Sequence, residues 1–350
     1  MSGGGVDGGS RAWKTVGVAL AVVLLVLGVR GYRVLREPLP ISSDPPLPSP
    51  NAFDDYVRAG RLLEASRRSI GDALRALPRV PGEPPSRARR HASSEPPMPM
   101  AEVRRVARGP EGFDALLASA ARKPYLCPVL LGAPGPKSPM EWGPWIARML
   151  SLRGRLATTE GRWDAVSGHA LQSLFIATRI TRGDGVNGLR FAIPARVGAR
   201  RQLWRALDHL SAPQAFAAAR RMEAILANRV PMAMILEADR LKLQRYGAGL
   251  YTEFSGFSAT GRWTVEEDNP GPDMSRLPYT ARVVLRGDLP ALNRFYDKLT
   301  LVTRHPFARR TPMPVCEPNI LTMSTSITLS DYDFWASEVG DHARSLLLQT

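Results

Sequence analysis

Fifteen consecutive uncharged residues, Thr15 to Val29 (TVGVALAVVLLVLGV), constrain this chain more than any other stretch. As a helix they are apolar on every face, and such a helix needs a protein core or lipid around it. Their length, about 22 Å against a hydrocarbon core of about 30 Å, leaves the choice open. Trp13 and Tyr32 bracket the run with amphipathic rings, and Lys14 and Arg30 can snorkel outward, so residues 13–32 read as a transmembrane anchor. Leu27, Gly28, Val29, Arg30 and Gly31 offer no small-x-small cleavage site, which favours a retained signal-anchor over a cleaved signal peptide. Arg11 and Lys14 on one side against Arg30, Arg33 and Arg36 on the other do not decide orientation. Residues 1–12 read as a disordered head that stays cytoplasmic, with the body translocated: a single-pass cell-membrane protein with an extracytoplasmic body.

The formal charge of +15 invites a nucleic-acid or anionic-membrane reading, but arginine supplies 42 of the 47 basic residues. So lopsided a ratio reflects the composition of a GC-rich genome as readily as a ligand, and nucleic acid is not an expected partner. The surplus lies upstream of Glu253; the remainder is close to neutral. Cys127 and Cys316 have no metal-ligand spacing, and a disulfide between them and two unrelated thiols both remain open.

Residues 33–50 form a proline-rich linker, read as a semi-rigid spacer that lifts the body from the bilayer. Residues 51–251 read as a helical domain. Asn51 is an N-cap with Asp54 in the first turn, and Phe53, Tyr56, Val57, Leu63, Ile70, Leu74 and Leu77 follow on one face of an amphipathic helix. Seven prolines across residues 78–100 mark a mobile loop, in which Arg87, Arg89 and Arg90 are candidate contacts for lipid phosphates or an acidic partner. Helical periodicity resumes from Ala101 to Arg122, broken at Gly109 and Pro110. It runs again from Glu141 to about Tyr251, with breaks near Gly161, Asp184 to Gly188, Ser211 and Pro231. Ser211 with Gln214 forms a capping-box pattern.

Gly154, then Gly161, Arg162, Trp163, Asp164 and Ala165, resemble the turn of a tetratricopeptide helix pair, as a single copy with Val166 in place of the expected small residue. The segment from Asn51 to Gly60 (NAFDDYVRAG), with LRGRLATTEGRWDAVSGHALQSL and RRMEAILANRVPMAMILEADR, resembles a loose group of uncharacterised bacterial membrane-anchored helical proteins. That resemblance implies an anchored, mostly helical body and no particular activity.

Residues 252–350 read as a small α+β domain. Tyr279, Ala281, Val283 and Leu285 alternate as in a half-buried strand; Gly287 and Asp288 turn into a helix with Pro290 in its first turn; residues 321–329 alternate again. This unit, in YTARVVLRGDLPALNRFYDKLTLV and LTMSTSITL, is similar to the C-terminal ferredoxin-like domain of PilO-type pilus alignment proteins, which implies a role in pilus assembly. The fold class expected overall is mainly α: an N-terminal transmembrane helix, a helical body that is repeat-like in part, and the small α+β domain.

Catalytic, cofactor and metal motifs are not visible. His91, His169, His209, His305 and His342 are dispersed, Ser167-Gly168-His169 lacks a nucleophile elbow, and Glu266, Glu267, Asp268 and Asp273 do not match calcium-loop spacing. The reading is a non-catalytic envelope scaffold whose partners are the membrane and other envelope proteins. Pilus or secretion assembly, an envelope hydrolase and a binder of anionic lipid or polymer stand as alternatives.

Overall fold

The structure, a computed structural model, describes residues 7–36, 39, 45–78, 98–128, 139–256 and 279–303. Eleven α-helices account for most of them: α1 Asp7–Arg36, α2 Ala52–Leu62, α3 Arg67–Ala76, α4 Met100–Arg108, α5 Phe113–Arg122, α6 Pro139–Thr159, α7 Trp163–Arg179, α8 Gly185–Leu207, α9 Ala212–Ala227, α10 Met232–Gly256 and α11 Tyr279–Thr303. The protein is mainly α, and no strand occurs among the described residues.

Asn51 does more than cap α2. Its Oδ1 accepts the backbone N–H of Phe53 at 3.1 Å and that of Leu126 at 3.2 Å, and its Nδ2 donates to Leu126 O at 2.7 Å. The start of α2 is thereby pinned to the extended segment 124–128. The predicted amphipathic face is buried, but one 3₁₀ turn, Glu64–Ser66, divides the helix expected there into α2 and α3. Phe53, Tyr56, Tyr125 and Trp142 form the aromatic centre of the main core, with Tyr56 stacked on Trp142 at 5.6 Å between ring centroids.

The breaks expected from Gly161 onward separate α6 to α10. Gly161 adopts φ +70°, the left-handed conformation that lets three residues reverse the chain between α6 and α7. Trp163 stacks on His209 at 3.8 Å, while Val166 packs with Ala157 and Ala206. Helix α6 packs on α7 and α8, α7 on α8 and α9, and α8 on α10. Partners one or two helices apart are the packing pattern of stacked hairpins. Helices α2, α3 and α4 cover α6 from the N-terminal side. The Ser211 N–H donates to Gln214 Oε1 at 3.0 Å, as the capping-box pattern requires.

One expectation is corrected. The stretch read as a strand from Tyr279 and a turn at Gly287 and Asp288 is one helix, α11, which continues through Pro290. Leu285, Leu289, Leu292, Phe295, Tyr296 and Leu299 are all buried at spacings of three and four, so the helical period outweighs the alternation upstream of it. Helix α11 packs along α10, which itself runs across the proposed boundary at 251/252. No α+β domain is formed by the described residues; the second expected strand, 321–329, lies outside them. Nor is any described helix long and apolar enough to cross a membrane. Although α1 has 30 residues, its longest uncharged stretch is the 15-residue run. The C-terminal end of α1 touches α11, where Arg286 Nη2 donates to Arg33 O at 3.4 Å, so α1 meets the helical body directly.

Candidate functional site

A half-open cleft of about 710 Å³ lies between α5, α7 and α9, with segment 124–128 as one wall. The sequence dictates that wall. Pro124 accepts the Ala52 N–H at 2.8 Å, Leu126 pairs with Asn51, and Cys127 donates its N–H to Arg182 O at 3.0 Å, so an extended strip is held between the start of α2 and the turn before α8. Apolar side chains from α5, α7 and α9, Leu117, Phe175, Ile176 and Ile225 among them, line the cleft. Three arginines, Arg179, Arg182 and Arg221, join them, and among the described residues no carboxylate does.

Arg179 is fixed in place. Its guanidinium donates to Ala120 O at 3.1 Å and to Lys123 O, satisfying carbonyls at the end of α5, and lies 4.9 Å from the Phe175 ring centroid. Arg182 and Arg221 are exposed at the cleft. Tyr56 and Tyr125 also line it, with both hydroxyl oxygens closed off from water, the first beside Arg179 and the second beside Cys127. Burial pushes the Tyr56 phenol up to about 12 and raises Tyr125 well above the ordinary phenol range, so both stay protonated.

Behind that wall lies a buried polar cluster. Asp239 accepts the Val186 N–H at 3.2 Å and the Tyr296 hydroxyl at 2.5 Å, and Lys242 donates to the carboxylate of Asp184 and, at 2.7 Å, to its backbone oxygen. Gly185, at φ +65°, permits this: a Cβ there would lie 2.7 Å from Asp239 Oδ1. Burial raises both carboxyls above the usual range despite Lys242 beside Asp184 and the Tyr296 hydroxyl on Asp239. Neither carboxylate lines this cleft, and the cluster ties α8, α10 and α11 to one another.

A shallower depression between α4, α6 and α7 gathers Arg104, Arg108, Arg153, Arg162, Asp114, Glu160 and His169. Most of its charge is structural. Arg104 and Arg162 both donate to Glu160, and Arg153 binds Asp114 while capping the end of α4 through Ala107 O at 2.7 Å and Arg108 O at 2.6 Å. Burial, helped by Arg153, lowers His169 to about 4, so it is neutral near pH 7.

Compared with protein-family models, curated proteins and solved structures, the chain matches none. Both resemblances therefore rest on the quoted segments alone.

Of the residues singled out from sequence, Trp13 and Lys14 fall in the first half of α1, and Arg30 and Tyr32 near its end, both exposed. Along a helix Trp13 and Tyr32 are about 28 Å apart. Arg87, Arg89 and Arg90, and Cys316, lie outside the described residues; Cys127 is a buried free thiol. Sequence reading missed the cleft, because its arginines come from positions 179, 182 and 221 and nothing in their local spacing unites them.

Proposed function

We propose that the chain is a membrane-held, non-catalytic binding protein, anchored by α1 and presenting its helical body to partners. One observation carries the anchoring half: ten large apolar residues of α1, from Val16 to Val29, are exposed at between 48% and 67%. Val22 through Leu27 are six in succession and so occupy every face of the helix, and all are open. A helix of that kind left in water forgoes on the order of 10 kcal/mol of apolar burial. The uncharged run is shorter than a hydrocarbon core, and Lys14 and Arg30 supply the difference by extending their charged ends to the interface.

The binding half is supported by an apolar cleft with convergent cations and by acidic groups elsewhere that are committed to ion pairs. Pilus assembly is not proposed, because the first of the two segments that carry that likeness, read as beginning with a strand, is helical throughout. Alkaline carbonate extraction of membranes from cells expressing the full chain tests the anchoring. Retention in the pellet supports it, and release into the supernatant, alongside peripheral proteins, contradicts it.

A further inference from the structure

The binding half of the proposed function rests on the cleft between α5, α7 and α9, and the class of ligand, which rests on that reading in turn, follows from the composition of its walls. Its walls are apolar, and the three ionisable side chains with a fixed charge that line it are all arginines. Arg179 has donated two of its five N–H groups to carbonyls of the α5 end and turns the same guanidinium over Phe175, so its position is set before any ligand arrives. Arg182 and Arg221 come from the turn after α7 and from α9. At about 710 Å³ the cleft falls in the range typical of small-molecule sites, roughly 300–1,000 Å³.

We propose that this cleft binds a small amphipathic anion: a single carboxylate or phosphate head held by Arg179, Arg182 and Arg221, on an apolar chain laid over Leu117, Phe175 and Ile225. The head needs cations without competing carboxylates, and the chain needs dry walls; both are present in one cavity. A neutral polar ligand would leave the guanidinium groups uncompensated. A dianion without a tail would leave the apolar wall uncovered.

The test is calorimetric titration of the full chain in lipid nanodiscs, with empty nanodiscs as the blank, using octanoate, octyl phosphate and the neutral isostere octanamide. Octanoate or octyl phosphate is expected to bind saturably, and whichever binds tighter identifies the head. Octanamide is expected to bind at least about tenfold more weakly. The double variant Arg182→Gln/Arg221→Gln, altered only at exposed positions, is expected to lose about tenfold or more in affinity with its melting temperature unchanged. No saturable binding of either anion, equal binding of octanamide, or an unchanged affinity in the arginine double variant overturns the proposal. Each of these results leaves the membrane reading untouched, since that is decided by extraction.

Discussion

Gly60 of α2 lies so close to Trp142 of α6 that a Cβ on the glycine would stand 2.2 Å from the Trp142 Cβ. The obstacle is the root of a side chain and not its flexible end, so the two helices would have to separate, and with them the stack of Tyr56 on Trp142. Gly60→Ala is expected to lower stability by about 1–3 kcal/mol, read as a fall in urea midpoint. Gly168→Ala is the control: a Cβ there meets nothing within 4 Å in the middle of α7, and it should raise stability by roughly 0.5–1 kcal/mol. Equal effects of the two would contradict the α2–α6 packing.

Tyr296→Phe removes the hydroxyl that donates to Asp239 Oδ2 across the α10–α11 contact. Asp239 is 6% exposed, so water cannot replace that donor. A loss of about 1–3 kcal/mol is expected in chemical unfolding. A neutral result would mean that α11 is not docked on α10 as described.

Asp55 tests the electrostatics of the α2–α5 contact. Burial alone would raise its carboxyl, but Lys123 at 2.5 Å, the Ser119 hydroxyl and Arg58 at 3.1 Å together outweigh it and hold the group below the usual carboxylate range. The folded state thus binds the proton less readily than the unfolded one, so stability rises with pH through that window. The stability gap between the wild type and Asp55→Asn should be full above the ordinary carboxylate range. It should close as pH falls through the lower folded value. A gap independent of pH would show that the ion pairs contribute nothing.

Cys127 is 1% exposed, and burial, with Asp184 nearby, pushes its thiol well above the ordinary range. Iodoacetamide should leave the peptide carrying Cys127 unmodified in the native protein and alkylate it in urea, as read by mass spectrometry. Alkylation of the native chain at a rate typical of free thiols would show the 124–128 wall to be open.

Most helix limits were legible because they are set locally. Asn51, the Gly109-Pro110 pair, Gly161 and the Ser211–Gln214 pair each carry their own stop or start signal, and each marks an observed end. Helix α11 was misread for the same reason. Gly287, Asp288 and Pro290 are local breakers, and only the apolar face that docks on α10, visible in three dimensions, overrides them. Arginine abundance was read as composition or ligand affinity, whereas Arg153 and Arg179 reach across the fold to satisfy the ends of α4 and α5, a use that no sequence spacing reveals.

The central claim, that α1 is surrounded by lipid, is tested most directly by attaching a polarity-sensitive fluorophore singly at each position from Val16 to Val29 of the full chain in bilayers. An inserted α1 predicts blue-shifted emission at every position, greatest near the middle of the run and without helical periodicity. Emission that oscillates with a period near 3.6 residues, or that stays water-like throughout, would contradict it.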